Sequence, residues 1–534
     1  MPAAATDNAP ARLFDLYARA PAESQVLIHN GRSLTYGALT QRARDVARGL
    51  AALGLRRGDR LAVMLPNGPE WFELAGACSL IGACIVSLNP RLGPREAGDL
   101  ISRGGCRGLV VSAAYRDGEC LRALDEIAAD ARASLRFAVL CDADAGQRLA
   151  GLEAAPYAQL ETSDSRPDEG RAEDPCLIIA TSGTTSLPKL VTHAQGRVAA
   201  HVCDAATAIG LGPDSRILLA IPMCGAFGYT VALTALAAGA CIVAMQDFEA
   251  AQAGRLMQSQ DITHVFGAND MLLRILEATS GAQPFPALKM FGHANFTPGL
   301  VELPAEAARR GVAMRGFFGM SETLALFAAQ SPQASLERRA EGGGFAVCPA
   351  ARVRVRHPDD GRLLPVGEAG LLELQSPNVM IGYLDDAART AEAFTDDGFL
   401  RTGDLARLEA DGGFTFLSRL NDVLRIGGYL VSPPEIEDVI KHDEAIAACQ
   451  VVAIQRPEGV RPVAFVVMKP GGVCDEAALL AHCRKALAVY KIPIRIFAIP
   501  SMPVTDGPNG AKVKKNELRD MATALFAASK EAHS

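Results

Sequence analysis

Three features of the sequence predict an α/β fold built on mainly parallel sheets. From residue 33 onward, short apolar strands alternate with helical patterns, and such βαβ alternation buries a parallel sheet beneath covering helices. Residues 217–246 carry no charged side chain, and Pro222, Gly225, Gly228 and Gly239 divide them into strand, loop, helix and strand, as a core buried on both faces requires. Two later strands end in glycine-bearing segments, 290–295 and 316–323, and such ends form a crevice at the carboxyl edge of a sheet, where α/β folds bind nucleotides.

The elements follow in order. Ser33-Leu34-Thr35-Tyr36-Gly37-Ala38-Leu39 opens a helix with apolar residues at helical spacing that ends near Leu53-Gly54. Residues 60–65 form a strand closed by Pro66-Asn67-Gly68-Pro69, and a helix from Glu70 carries Trp71, Phe72 and Leu74, with Trp71 as a core residue. Leu109-Val110-Val111 is the next strand, residues 161–174 read as a solvated linker, and 177–180 is a buried strand. Residues 263–266 form a strand before a helix over 270–278, and the pattern of 316–323 precedes another helix. A turn at Asp396-Asp397-Gly398 leads to Leu400-Arg401-Thr402-Gly403-Asp404, and 414–417 is a strand.

The 534 residues suffice for about three or four domain-sized units with a sizeable core. With 53 Lys and Arg against 60 Asp and Glu, the net charge of -7 gives no electrostatic reason to expect nucleic acid, so small anions need a local basic site such as Lys189. Thirteen cysteines, with no CxxC pair and no His/Cys cluster at metal spacing, read as small buried residues in a reducing cytoplasm. The Ala-rich start lacks the basic and apolar regions of a signal peptide, and the glycines and prolines of 217–246 argue against a membrane span there.

After the strand at 177–180, Thr181-Ser182-Gly183-Thr184-Thr185 pack four hydroxyls and one glycine into five positions ahead of Pro188 and Lys189. Hydroxyls and glycine-permitted backbone N–H groups can converge on phosphate oxygens, and a lysine at the rim adds mobile positive charge. Position after a strand and the Pro-Lys ending separate this stretch from an ordinary polar turn. It is not a Walker loop, because Lys189 lacks a preceding glycine and is followed by Leu190. Gly319-Met320-Ser321-Glu322-Thr323 approaches a nucleophile elbow, but Thr323 stands where that motif needs glycine. His293 taken alone reads as a structural histidine.

The stretch from Thr181 to Lys189 closely resembles the phosphate loop of the acyl-adenylate-forming superfamily, with Ser186 and Leu190 where that family usually has glycine. Further motifs match in family order from Leu34 to Leu518. The resemblance implies a large multi-sheet N-terminal adenylating domain, residues 1–419, and a small mobile α+β C-terminal domain, residues 420–534. It implies that Thr181, Ser182, Gly183, Thr184, Thr185 and Lys189 hold phosphates, that Phe318 stacks on adenine, and that Glu322 holds Mg²⁺. Asp404 resembles the ribose-binding aspartate, Arg419 would contact ribose or phosphate, Asn421 would be the hinge, and Gly428 would line the thiol passage. Lys512 is the candidate catalytic lysine, with Ala511 inserted before it and Lys514 and Lys515 as rivals. Gly225, Phe227, Gly228, Gly292, His293, Gly319 and Met320 would line the acid site.

By that resemblance the chain is an ATP-dependent carboxylate ligase that forms acyl-AMP and passes the acyl group to coenzyme A. A small carboxylic acid is its implied partner. A carrier protein or another nucleophile is the nearest alternative acceptor, and a catalytically silent nucleotide-binding or scaffold protein is the alternative of a different class. Residues 217–246 lack the aspartate with which amino-acid-activating relatives bind an ammonium group, which predicts a neutral-bodied aliphatic or aryl acid.

Overall fold

The computed structural model describes residues 10–142, 146–161, 167–181, 188–294, 300, 302–420, 424–426, 429–431, 433–456, 459–507 and 510–531. Among them, two large sheets of nine and thirteen strands carry the fold. The first has a parallel core running Pro175–Ala180, Cys84–Ser87, Arg60–Met64, Gly108–Ser112, Phe137–Cys141, Leu152–Pro156. The second is parallel through Gln25–His29, Cys241–Ala244, Arg216–Leu219, His264–Ala268, Met290–Ala294 and Met314–Phe318. Beyond Met314–Phe318 that sheet continues as an antiparallel extension that includes Leu400–Leu408 and Phe414–Arg419.

Local chemistry sets the helix ends. The first long helix, Tyr36–Ala52, starts where the Thr35 hydroxyl accepts from the Ala38 N–H, satisfying a donor that the helix cannot. Pro69–Ile81 has proline in its first turn and stops at Gly82, whose φ of 79° suits a residue without a Cβ. The uncharged run resolves into Arg216–Leu219, Ala226–Ala237 and Cys241–Ala244. The helix Ala226–Ala237 is buried along nearly its whole length, which explains why it has no polar face. Trp71 is fully buried, donates from Nε1 to the Leu65 carbonyl at 3.0 Å, and meets Tyr229 edge to face at 6.3 Å. Among the described residues no helix is long and apolar enough to cross a membrane.

The carboxyl edges of the two sheets are joined by side chains. Asn67 donates from Nδ2 to the carbonyls of Ile221 and Met245, each at 3.0 Å, and accepts from the Met223 N–H at 2.8 Å. Ser87 donates to the Cys224 carbonyl at 2.7 Å. The loop leading to Gly225 is therefore held by the other sheet.

Two expectations are corrected. The end of the segment 161–174 is packed rather than solvated: Asp174 is buried and takes two hydrogen bonds from Arg57 Nε, the shorter at 2.9 Å. No α-helix comes directly after Phe318; Ser321–Thr323 is a single 3-10 turn, after which Leu324, Ala325 and Leu326 have φ of 55°, 49° and 23°. Positive φ in three successive non-glycine residues breaks the helical path.

The C-terminal region has its own core. Antiparallel Ile446–Arg456 and Gly459–Met468, with Ile496–Ala498 parallel to the latter, pack against Pro433–Lys441 and Lys515–Glu531. Between them Val504–Gly507 and Gly510–Val513 form a hairpin that places Lys512 opposite Thr505.

Candidate active site

The strand Pro175–Ala180 pairs antiparallel with Leu190–Ala194, so Thr181 and Lys189, which flank the hydroxyl-rich stretch, lie side by side. The Thr181 N–H donates to the Lys189 carbonyl at 2.9 Å, and Arg103 Nη2 donates to the Pro188 carbonyl at 2.7 Å. Ser182, Gly183, Thr184 and Thr185 of the expected phosphate set lie outside the described residues, as do Asn421 and Gly428.

Lys189 and Glu322, far apart in sequence, converge on Tyr383. The Lys189 ammonium lies 3.4 Å from the Tyr383 hydroxyl and 4.7 Å from the centre of its ring, and that hydroxyl donates to Glu322 Oε1 at 2.9 Å. Burial and the Glu322 carboxylate beside it push the Tyr383 hydroxyl well above the ordinary tyrosine range, so it remains a donor. Strand pairing explains the meeting, because Tyr383 pairs with Val191, two positions after Lys189. The Met380 N–H also donates to the Glu322 carbonyl at 2.8 Å, and Arg197 reaches the carbonyls of Val379 and Met380. Sequence reasoning missed Tyr383; its local signal is Gly382-Tyr383 after the apolar strand Ala369–Gln375.

A second pair lies on the antiparallel extension. Asp404 and Arg419 are cross-strand partners, with Arg419 Nε 3.1 Å from Asp404 Oδ1; the carboxylate is 1% exposed and the arginine side chain 52%. The guanidinium thus covers a buried carboxylate from the solvent side. Phe318, from the strand Met314–Phe318 of the same sheet, packs against Phe414 at 5.3 Å and Phe416 at 5.7 Å. Those rings cover most of Phe318, which leaves only a small part of its surface for a base.

Of the expected acid-lining residues, Gly292 and His293 lie within the parallel strand Met290–Ala294, and the others follow the carboxyl ends of Arg216–Leu219 and Met314–Phe318. Gly225 precedes the first turn of Ala226–Ala237 with φ -103° and ψ 155°, a conformation open to any residue. Phe227 and His293 are buried, whereas Met320 is half-buried. Three of the glycines are needed for packing. A Cβ on Gly228 would lie 2.1 Å from the Pro222 carbonyl oxygen, on Gly319 2.4 Å from the Ala325 carbonyl carbon, and on Gly292 2.7 Å from the Phe317 ring. The structure thus brings Lys189 and Glu322 together on Tyr383, and Asp404 to Arg419.

Beside the carboxyl end of Pro175–Ala180, a lysine and a buried carboxylate converge on one tyrosine, an arrangement suited to handling phosphate in an α/β enzyme. The chain belongs to the AMP-binding enzyme family, whose profile matches residues 14–384, and the AMP-binding enzyme C-terminal domain matches residues 435–506. Within the acyl-adenylate-forming superfamily it is of the acyl-CoA synthetase type. A sulfoacetate–CoA ligase of Cupriavidus necator is 31% identical over 495 residues, 92% of this chain and 93% of the relative. A feruloyl-CoA synthase of an Amycolatopsis species is 30% identical over 517 residues, covering 94% and 96%. Among solved structures, ATP-bound MatB from Rhodopseudomonas palustris shares the fold with a TM-score of 0.83 at 24% identity, over 96% of this chain and 99% of that one. The amide bond synthetase McbA from Marinactinospora thermotolerans gives 0.81 at 25% identity, over 95% and 99%.

Proposed function

We propose that this AMP-forming acid–CoA ligase activates a neutral-bodied aliphatic or aryl carboxylate. The substrate carboxylate attacks the α-phosphate of ATP and pyrophosphate leaves. The thiol of coenzyme A then attacks the acyl-adenylate carbonyl and AMP departs. Lys189 at the base of the polar turn neutralises phosphate charge, and Asp404 accepts from the ribose hydroxyls once Arg419 has moved aside or joined the contact. The open part of Phe318 lies against the base. Lys512 stabilises charge on the departing pyrophosphate.

Mg²⁺ fits this site. Glu322 offers a hard carboxylate oxygen held by Tyr383, and among the described residues no group of three or more His, Cys, Asp or Glu side chains forms a cage. A cation held by one carboxylate together with nucleotide phosphates is the common magnesium arrangement. When bound, it supplies neutralising charge to the phosphates. Residues 1–419 and 420–534 act as separate bodies that rotate about Asn421 between the two half-reactions, with Gly428 lining the thiol passage in the second. A reducing cytoplasm suits the free thiols of all thirteen cysteines.

The meeting of Lys189 and Glu322 at Tyr383 carries the nucleotide part of this reading, and the uncharged 217–246 segment carries the choice of acid. The curated relatives act on acids as different as sulfoacetate and ferulate, so their names do not choose one for this chain. The test is pyrophosphate release across a panel of carboxylic acids, followed by thioester formation with coenzyme A. Release with neutral acids but not α-amino acids, then a coenzyme A thioester, is expected. Release without that thioester favours a carrier protein or another nucleophile, and no release with any acid favours the silent nucleotide-binding protein.

A further inference from the structure

Glu322 sits in a strained turn. Two positions beyond it begin three successive non-glycine residues with positive φ, Leu324, Ala325 and Leu326, a conformation that L-residues adopt only when their surroundings impose it. Gly319 permits the turn to fold back on itself, and the Ala325 N–H donates to the Met320 carbonyl at 2.9 Å.

Two fully buried imidazoles grip this turn from the segment that follows Lys189. His193, in the strand Leu190–Ala194, places Nε2 2.8 Å from the Ser321 carbonyl oxygen. His201, in the helix Gln195–Ile209, places Nε2 3.2 Å from the Leu324 carbonyl oxygen. Carbonyl oxygens accept only, so Nε2 carries the proton in both rings. Both rings are neutral, since burial lowers each to about 4, and Nδ1 of His193 has no hydrogen-bond partner among the described residues to stabilise a second proton. They therefore act as fixed N–H donors on either side of Glu322.

We propose that His193 and His201 are positioning residues for adenylation, which hold the carbonyls of Ser321 and Leu324 and thereby aim the Glu322 carboxylate at the nucleotide phosphates. This rests on the reading of Glu322 given above. The arrangement joins the two halves of the phosphate site mechanically: the chain that leaves Lys189 also clamps the turn that carries Glu322. Loss of either donor lets the strained turn relax toward ordinary backbone angles and moves the carboxylate away.

The test compares His193→Ala, His193→Gln, His201→Ala and Glu322→Gln. Calorimetry measures ATP affinity with and without Mg²⁺, acid-dependent pyrophosphate release gives kcat and both KM values, and thermal melting reports stability. His193→Ala should lose most of the Mg²⁺-dependent gain in ATP affinity and about tenfold in kcat, while KM for the acid changes less than about twofold. His193→Gln keeps a side-chain N–H donor and should recover most of the loss. A fall in melting temperature with an unchanged Mg²⁺ increment, or a glutamine variant no better than alanine, would overturn the proposal. Should His193→Ala fail to fold, His201→Ala decides it: a normal Mg²⁺ increment in that variant overturns the proposal, and a reduced increment supports it. An unaffected Glu322→Gln removes the reading of Glu322 and the proposal with it. An impaired Glu322→Gln beside a normal His193→Ala removes the positioning role alone.

Discussion

The Tyr383 hydroxyl donates to Glu322 at 2.9 Å from a residue whose ring also faces the Lys189 ammonium. One side chain therefore sets the spacing between the positive and negative groups of the proposed phosphate site. Tyr383→Phe keeps the ring and removes the donor. A hydrogen bond to a charged acceptor is worth roughly 1.5–3 kcal/mol, so kcat/KM for MgATP should fall at least about tenfold with KM for the acid nearly unchanged. Initial rates of pyrophosphate release check this, and a variant with wild-type rates would show that Tyr383 only packs.

Lys512 lies on the hairpin strand Gly510–Val513, while Lys514, just beyond it, has its ammonium 3.7 Å from the exposed Glu517 carboxylate. Lys512→Ala should reduce acid-dependent pyrophosphate release by about 10² to 10³ while ATP still binds, and Lys514→Ala should stay near wild type. The reverse ranking would move the catalytic assignment to Lys514.

Gly225 and Gly228 separate pocket from packing. The extended backbone at Gly225 accepts a side chain, so Gly225→His should fold and shift preference toward smaller acids by filling the site. Gly228→Ala should instead lower thermal stability and all activities together, because its methyl would sit 2.1 Å from the Pro222 oxygen. Specificity constants for short and long acids, measured beside melting temperatures, decide it. An unchanged ratio in a stable Gly225→His protein rejects the pocket assignment.

His264 is buried, and burial lowers it from 6.5 to about 4. Between those values the unfolded chain takes up a proton that the native protein refuses, so this histidine's contribution to stability is full above pH 6.5 and is lost as pH falls toward 4. In His264→Gln that loss is absent. The stability of wild type relative to the variant should therefore shrink by up to about 1.4 kcal/mol per pH unit across the window. Urea midpoints at pH 7, 6 and 5 test the sign, and a constant difference would show that His264 titrates alike in both states.

Much of the fold was legible because its signals are local. The Thr35 cap, the Pro69 start, the Gly82 stop and the uncharged segment around Ala226–Ala237 act within a few residues of where they are read. The motif matches likewise singled out Lys189, Glu322, Asp404 and Arg419, which the structure brings onto Tyr383 and into one ion pair. Where local signals misled, long-range contacts had overridden them. The end of the supposed linker is pinned by Arg57 through Asp174, and the helix expected after Phe318 is replaced by a turn clamped by His193 and His201.

By itself the sequence determined the α/β class and the positions of most of the strands and helices read from it, since these follow from periodicity, caps and short motifs. Only the tertiary structure decided which groups meet. Tyr383 reaches Glu322 because Gly382–Tyr383 pairs with the strand after Lys189, and Asn67 holds the loop before Gly225 because the two carboxyl edges abut. Strand order and sheet-to-sheet packing set those contacts, and both depend on the energy of the whole buried core rather than on any stretch of chain that can be read alone.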